Sequence, residues 1–106
     1  MNYNKILVST PKGYVAKYEK CNTIQIGFGT TLLGLNRCEF ESFLQYIQKL
    51  FDENQAQQLH EKSIWVNLGS SHVMMVVTVN ELIDFLELLR AASVNNMINE
   101  SLQNLN

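Results

Sequence analysis

Apolar and polar residues follow one another along this chain with two different periods, and each period marks a kind of element. Ile24, Ile26 and Phe28 alternate with Gln25 and Gly27, and Ile64, Val66 and Leu68 alternate with Trp65 and Asn67, so both segments read as half-buried strands. Residues 6–8 and 14–18 predict an N-terminal hairpin, turned by Pro11, Lys12 and Gly13. Residues 32–35 predict a return strand. So do residues 72–77, which are so uniformly apolar that they fit a central strand covered on both faces, or one whose outer face is an interface. Phe40, Phe43, Leu44, Ile47, Leu50 and Phe51 recur at spacings of three and four, with Glu41, Gln45, Gln48, Lys49 and Asp52 on the other side, which predicts an amphipathic helix. A second helix carries Leu82, Phe85, Leu86 and Leu89. Ile83 and Leu88 widen its apolar arc, so it either lies deeper or meets a partner.

The starts of both helices are written in the same chemistry. Asn36 as cap and Glu39 three residues on form a capping box flanked by Leu35 and Phe40; Thr78 and Glu81 form another, flanked by Val77 and Leu82. The strands before them also correspond, because Ile24-Gln25-Ile26-Gly27-Phe28-Gly29-Thr30-Thr31 recurs as Ile64-Trp65-Val66-Asn67-Leu68-Gly69-Ser70-Ser71. The numbering offset between the copies rises by two residues between Ser71 and Thr78. An even insertion lengthens a strand without moving its apolar positions to the wrong face. The expected fold is α+β: an antiparallel sheet of about six strands in the order ββ-ββα-ββα, with two helices packed on one face and a duplicated hairpin-helix unit. The single domain 1–106 then divides into a hairpin (1–22), two hairpin-helix units (23–53 and 63–95) and a tail (96–106). Residues 52–62 read as a loop or a frayed extension of the first helix. The asparagine-rich tail is a weak helix former, yet Val94, Ile98, Leu102 and Leu105 keep an apolar stripe, so it either docks on its own domain or another subunit, or frays.

Composition narrows the function. With 106 residues, 46% of them hydrophobic and 17% charged, the chain can bury one core. A net charge of −2 and a pI near 5.6 remove the broad attraction that non-specific nucleic-acid or anionic-membrane binding needs. Residues 1–9 hold only a three-residue apolar run, not the apolar core of a signal peptide, and a cytoplasmic location is expected. Two cysteines are too few for a disulfide framework.

No convergent catalytic set emerges, so a non-enzymatic protein is expected. Cys21, Cys38, His60 and His72 are the soft ligands available, but none share the close paired spacing of a zinc site, and no metal or cofactor is expected. Cys38 in a first helical turn is a reactive thiol or, more ordinarily, a small buried hydrophobe. Ser70-Ser71-His72 is explained by a turn, Gly27-Phe28-Gly29 leads into a strand and not the helix a phosphate loop requires, and Glu39 and Glu81 serve as caps. Trp65 falls opposite the aliphatic set of its strand. It either completes the core or faces outward with Tyr14 and Tyr18 as a contact patch. The leading expectation is a self-associating interaction or regulatory module, a homodimer meeting through Trp65, Tyr14, Tyr18, Ile83, Leu88, Ile98 and Leu102. The alternatives are a small-molecule or metal-binding protein using the cysteines and histidines, and single-stranded nucleic-acid binding by sheet aromatics, which have few basic residues beside them.

Gly13-Tyr14, Cys21-Asn22, Ile24-Gln25, Phe28-Gly29, Leu33, Leu35 and Glu39-Phe40 together resemble a group of small bacterial proteins of unknown function over the first half of the chain. The resemblance implies a small, stand-alone bacterial domain and no established activity. Many members of that group place a second cysteine three residues before the one matched by Cys21, and this chain has Tyr18 there, so a Cys-x-x-Cys centre is not carried over.

Overall fold

Tight turns decide which strands meet first. The computed structural model describes residues 4–56, 60–70 and 72–104. β1 (Asn4–Thr10) turns at Pro11 and Lys12 into β2 (Gly13–Tyr18), and β3 (Thr23–Phe28) turns at Gly29 and Thr30 into β4 (Thr31–Leu35). Gly29 has φ +58°, a conformation open to glycine at little cost, and as the first residue of a two-residue loop it matches the twist of the strands it joins. The four strands form one antiparallel sheet in sequence order. Then follow α1 (Arg37–Glu53), β5 (Ile64–Ser70), β6 (Val73–Val77) and α2 (Val79–Asn104).

Register aligns the apolar positions on one face. Val15 pairs with Ile26 and Ile26 with Leu33; Lys17 pairs with Ile24 and Ile24 with Leu35. This face meets both helices, α2 lying across β1 and β2 and α1 across β3 and β4, with the helices touching each other. Phe28 stacks on Phe85 of α2 with ring centroids 4.5 Å apart, and Phe43 of α1 meets the same ring edge-on at 5.8 Å. Val15, Ile26, Ile47, Val66, Leu82 and Leu89 close the core around them, and each such side chain stabilises the fold by about 1.5–3 kcal/mol.

Among the described residues six strands form, but in two sheets of four and two, not in one sheet of six. β5 pairs with β6 and not with β4, so β6 is an edge strand and not a central one. On the other edge of β5 the Asn67 N–H donates to the Tyr46 hydroxyl of α1 at 2.9 Å, where a continuous sheet would place a strand carbonyl. The two additional residues of the second hairpin do not lengthen β6, which has five residues like β4. They are absorbed by a register shift between Asn67 and Ser70, with Gly69 at φ +97°.

Both helix starts carry complete capping boxes. Asn36 Oδ1 accepts the Glu39 N–H at 2.8 Å while Glu39 Oε1 accepts the Asn36 N–H at 2.9 Å; Thr78 Oγ1 and Glu81 Oε1 make the same exchange at 3.0 and 2.9 Å. α1 ends where Asn54 donates its side-chain amide to the Leu50 carbonyl at 2.8 Å, and residues 54–56 form a turn. α2 does not stop where a tail was expected. It runs unbroken for 26 residues, because its asparagines find tertiary partners: Asn95 Nδ2 donates to the Leu7 carbonyl at 2.6 Å, and Asn99 Oδ1 accepts from Lys5. Propensity yields to packing there. Ser71 of the repeated block, residues 57–59 of the loop and Leu105 of the tail lie outside the described residues.

Candidate functional site

Three faces leave apolar side chains in solvent. On the outer side of α2, Val94, Met97, Ile98 and Leu102 are exposed, Ile98 by 54% and Leu102 by 58%. Between Ala91 and Leu102 the only charged residue is Glu100, which turns inward, so this surface carries no charge over three helical turns. Ile83 is partly buried against the core. Leu88 is fully enclosed, facing Gly13 of β2, which removes it from any interface: the wide apolar arc of α2 divides into a core half and a solvent half.

Trp65 points outward and is 61% exposed. It pairs with Val76, and on the same face of the β5–β6 hairpin Asn67 pairs with the exposed Met74. Tyr14 and Tyr18 lie in the other sheet. Their hydroxyls both donate to Gln25 Oε1 at 2.9 Å, the Tyr14 ring covers Gly27, and Ala16 is buried beneath the pair. Exposed Ile6 and Leu32 stand at the flanks of this outer face, since Ile6 pairs with Ala16 and Leu32 with Gly27. Tyrosines and tryptophan therefore belong to separate patches, and no described ring contact joins them.

A polar cluster holds the second half of α2 in place. Glu100 is bracketed by Arg37 Nη2 at 3.0 Å, Lys17 Nζ at 3.8 Å and Asn96 Nδ2 at 3.1 Å, while Lys5, directly opposite Lys17 across β1 and β2, donates to Asn99. Asn96 Oδ1 and Asn99 Nδ2 are buried with no protein partner among the described residues. Strand alternation places Lys17 on the face of Val15, and the polar positions 95, 96, 99 and 100 continue the stripe of Leu88 and Ala92. Those were the readable signals of a cluster that periodicity of apolar residues alone passes over.

The candidate ligand side chains do not converge. Cys21 sits in the β2–β3 connection, Cys38 in the first turn of α1, His60 before β5 and His72 beside the β5–β6 turn, and all four are exposed. Among the described residues no group of three or more histidine, cysteine or acidic side chains is placed to share a metal ion. Cys38 is thus not a core hydrophobe. Two groups have shifted acidities. The hydrogen bond and charge of Asp84 raise the Lys12 ammonium above its usual value at the sheet end. Burial pushes the Glu81 carboxyl up, but its bonds to Lys62 and Thr78 outweigh burial and leave it below the usual glutamate range. Both lie at the start of α2, where Lys12, Glu81 and Asp84 line a shallow cavity of about 310 Å³ with Pro11, Phe28 and Gly29.

No described helix is long and apolar enough to cross a membrane. No match was found among curated proteins or among solved structures. A family profile spans residues 1–106, so the resemblance seen in the first half extends over the whole chain, and the protein belongs to DUF6686, a family of unknown function.

Proposed function

We propose that this domain is a non-enzymatic interaction module that self-associates as a symmetric homodimer through the outer face of α2. The observation that carries this reading is the charge-free apolar stripe of Val94, Ile98 and Leu102 on a helix whose opposite side is locked to β1, β2 and α1. Interface centres are depleted of charge, and a rigid element binds at lower entropic cost than a mobile tail. A two-fold axis at Ile98 sets Val94 of one copy opposite Leu102 of the other, which makes the stripe self-complementary. The Trp65 face of the β5–β6 hairpin is the second apolar surface available to the assembly. We place the module in a bacterial cytoplasm, where exposed Cys21 and Cys38 remain thiols. We also read the two hairpin-helix units as copies of one element. Their paired capping boxes and the positive φ of Gly29 and Gly69 support this.

Light scattering across micromolar to near-millimolar protein tests the reading. The wild type is expected to give twice the monomer mass and Ile98→Glu the monomer mass, with unchanged helical circular dichroism. A wild type that stays monomeric over the whole range overturns it.

A further inference from the structure

Two strand edges face the same gap. Among the described residues β4 pairs only with β3 and β5 only with β6, and between them opens a cavity of about 440 Å³. Leu33 and Leu35 form one wall, residues 67–70 the other, and Phe43 and Tyr46 of α1 the floor. An unpaired strand edge is a row of N–H and C=O groups that template another strand. Asn67 shows which way these groups point. Its N–H turns from Met74, its partner in β6, and donates to the Tyr46 hydroxyl, which stands in for a strand carbonyl. By alternation, the backbone groups of Trp65 aim toward the same edge. Asn67 to Ser70 line the gap, a reach of at most about 13 Å because the register shift falls among them and the Gly69 N–H is held by Asn67 Oδ1 at 2.9 Å, so the space accepts a short extended segment and not a helix.

Charge narrows the occupant further. Among the described residues Glu39 is the only charged one on the lining, and its capping box uses one carboxylate oxygen. We propose that this slot binds an extended peptide segment of a partner protein by strand addition, with alternate apolar side chains set on Phe43 between Leu33 and Leu68 and a basic residue beside Glu39. Main-chain hydrogen bonds supply the attraction and the apolar floor supplies the register. The site lies apart from the outer face of α2 and does not require the homodimer.

The test uses the Ile98→Glu chain, ¹⁵N-labelled, so that self-association through α2 plays no part. The probe is a capped heptapeptide of alternating threonine and valine with one threonine replaced by lysine, and its twin carries glutamate there. Saturable amide shifts at Leu33, Leu35, Asn67, Leu68 and Gly69 are expected, with slower hydrogen exchange at Trp65 and several-fold weaker binding of the glutamate twin. Ser42→Trp, which fills the slot from an exposed position of α1, is expected to weaken binding at least tenfold while the helical signal is unchanged. The proposal is overturned by the absence of saturable shifts, by shifts elsewhere on the molecule, by equal binding of the twin or of the Ser42→Trp chain, or by the same amides shifting when the protein alone is concentrated. The last outcome gives the edge to a second copy.

Discussion

Glu100, about one turn from the end of α2, places Oε2 3.0 Å from Nη2 of Arg37, the first residue of α1. The same carboxylate faces Lys17 of β2, whose side chain is only 12% exposed. One acidic group therefore ties two helices and a strand. α2 has no basic residue in its last turn, and cations from β1, β2 and α1 supply the positive charge that its C-terminal end favours.

This network is expected to act cooperatively. Arg37→Gln and Glu100→Gln are each predicted to cost about 1 kcal/mol, since Arg37 is largely in solvent and the pair is partly screened. The double variant should cost less than the sum, measured by urea unfolding as a double-mutant cycle. Amides of residues 95–102 should exchange faster in both single variants, while those of β3 keep their protection. Additive costs with unchanged exchange would mean that the contact does not hold the helix end.

A second prediction concerns acid. The folded Glu81 carboxyl lies below its usual range, so its charge contributes stability that is complete above the ordinary glutamate value, about 4.3, and is lost as pH falls through the folded value. Glu81→Gln keeps the capping-box geometry and removes the charge. The wild type should be the more stable of the two at pH 7, by less than about 1 kcal/mol because Lys62 and Glu81 are both partly exposed, and the gap should shrink as pH falls below about 4.3. Unfolding midpoints that keep a constant gap across this window would refute the assignment.

Three glycines should rank by what a methyl group meets. A Cβ on Gly34 touches only Thr23 Cγ2, at 3.5 Å; on Gly27 it falls 2.4 Å from the Tyr14 ring; on Gly13 it falls 2.3 Å from the Gly27 carbonyl oxygen. A side chain can swing aside and a strand backbone cannot. Gly34→Ala is thus expected to be near neutral, Gly27→Ala to cost about 1–3 kcal/mol by displacing Tyr14 from Gln25, and Gly13→Ala to cost the most. Denaturant midpoints give the order directly, and Gly27→Ala more damaging than Gly13→Ala would contradict it.

What the sequence made legible was local. A capping box needs only residues three apart, so Asn36 with Glu39 and Thr78 with Glu81 could be read directly, as could the alternation that buries Ile24 and Ile26, whereas the same alternation left Trp65 open between core and surface and the fold turns it outward. Pairing between distant edges was not legible. Nothing near Asn67 in the chain announces that Tyr46, 21 residues earlier, takes its N–H and that β4 stays apart. Leu88 and Ile98 look alike as apolar helix positions, and only the placement of α2 over Gly13 sends the first inward and the second outward. The asparagines of α2 disfavour a helix in isolation, and the bonds that hold two of them run to Leu7 and Lys5, about 90 residues away in sequence.

Trp65 is the only tryptophan of the chain, so its fluorescence reports one surface without labelling. Its ring is 61% exposed on the β5–β6 hairpin, beside Val76 and the exposed Met74, and dilute protein should show solvent-like emission that acrylamide quenches efficiently. If the hairpin face joins the homodimer, raising the concentration through the dimerisation range should shift emission to the blue and lower the quenching, and Ile98→Glu should abolish both changes together with the mass change. If only α2 pairs, the mass doubles while the tryptophan signal stays constant. Trp65→Ala then separates contact from fold: it removes no core atom, so the melting temperature of the monomeric Ile98→Glu chain should move by little, whereas an interfacial tryptophan truncated in the dimer commonly costs 2 kcal/mol or more of association, a shift of about thirtyfold in the dissociation constant. A dissociation constant unchanged by Trp65→Ala would restrict the interface to the stripe of Val94, Ile98 and Leu102.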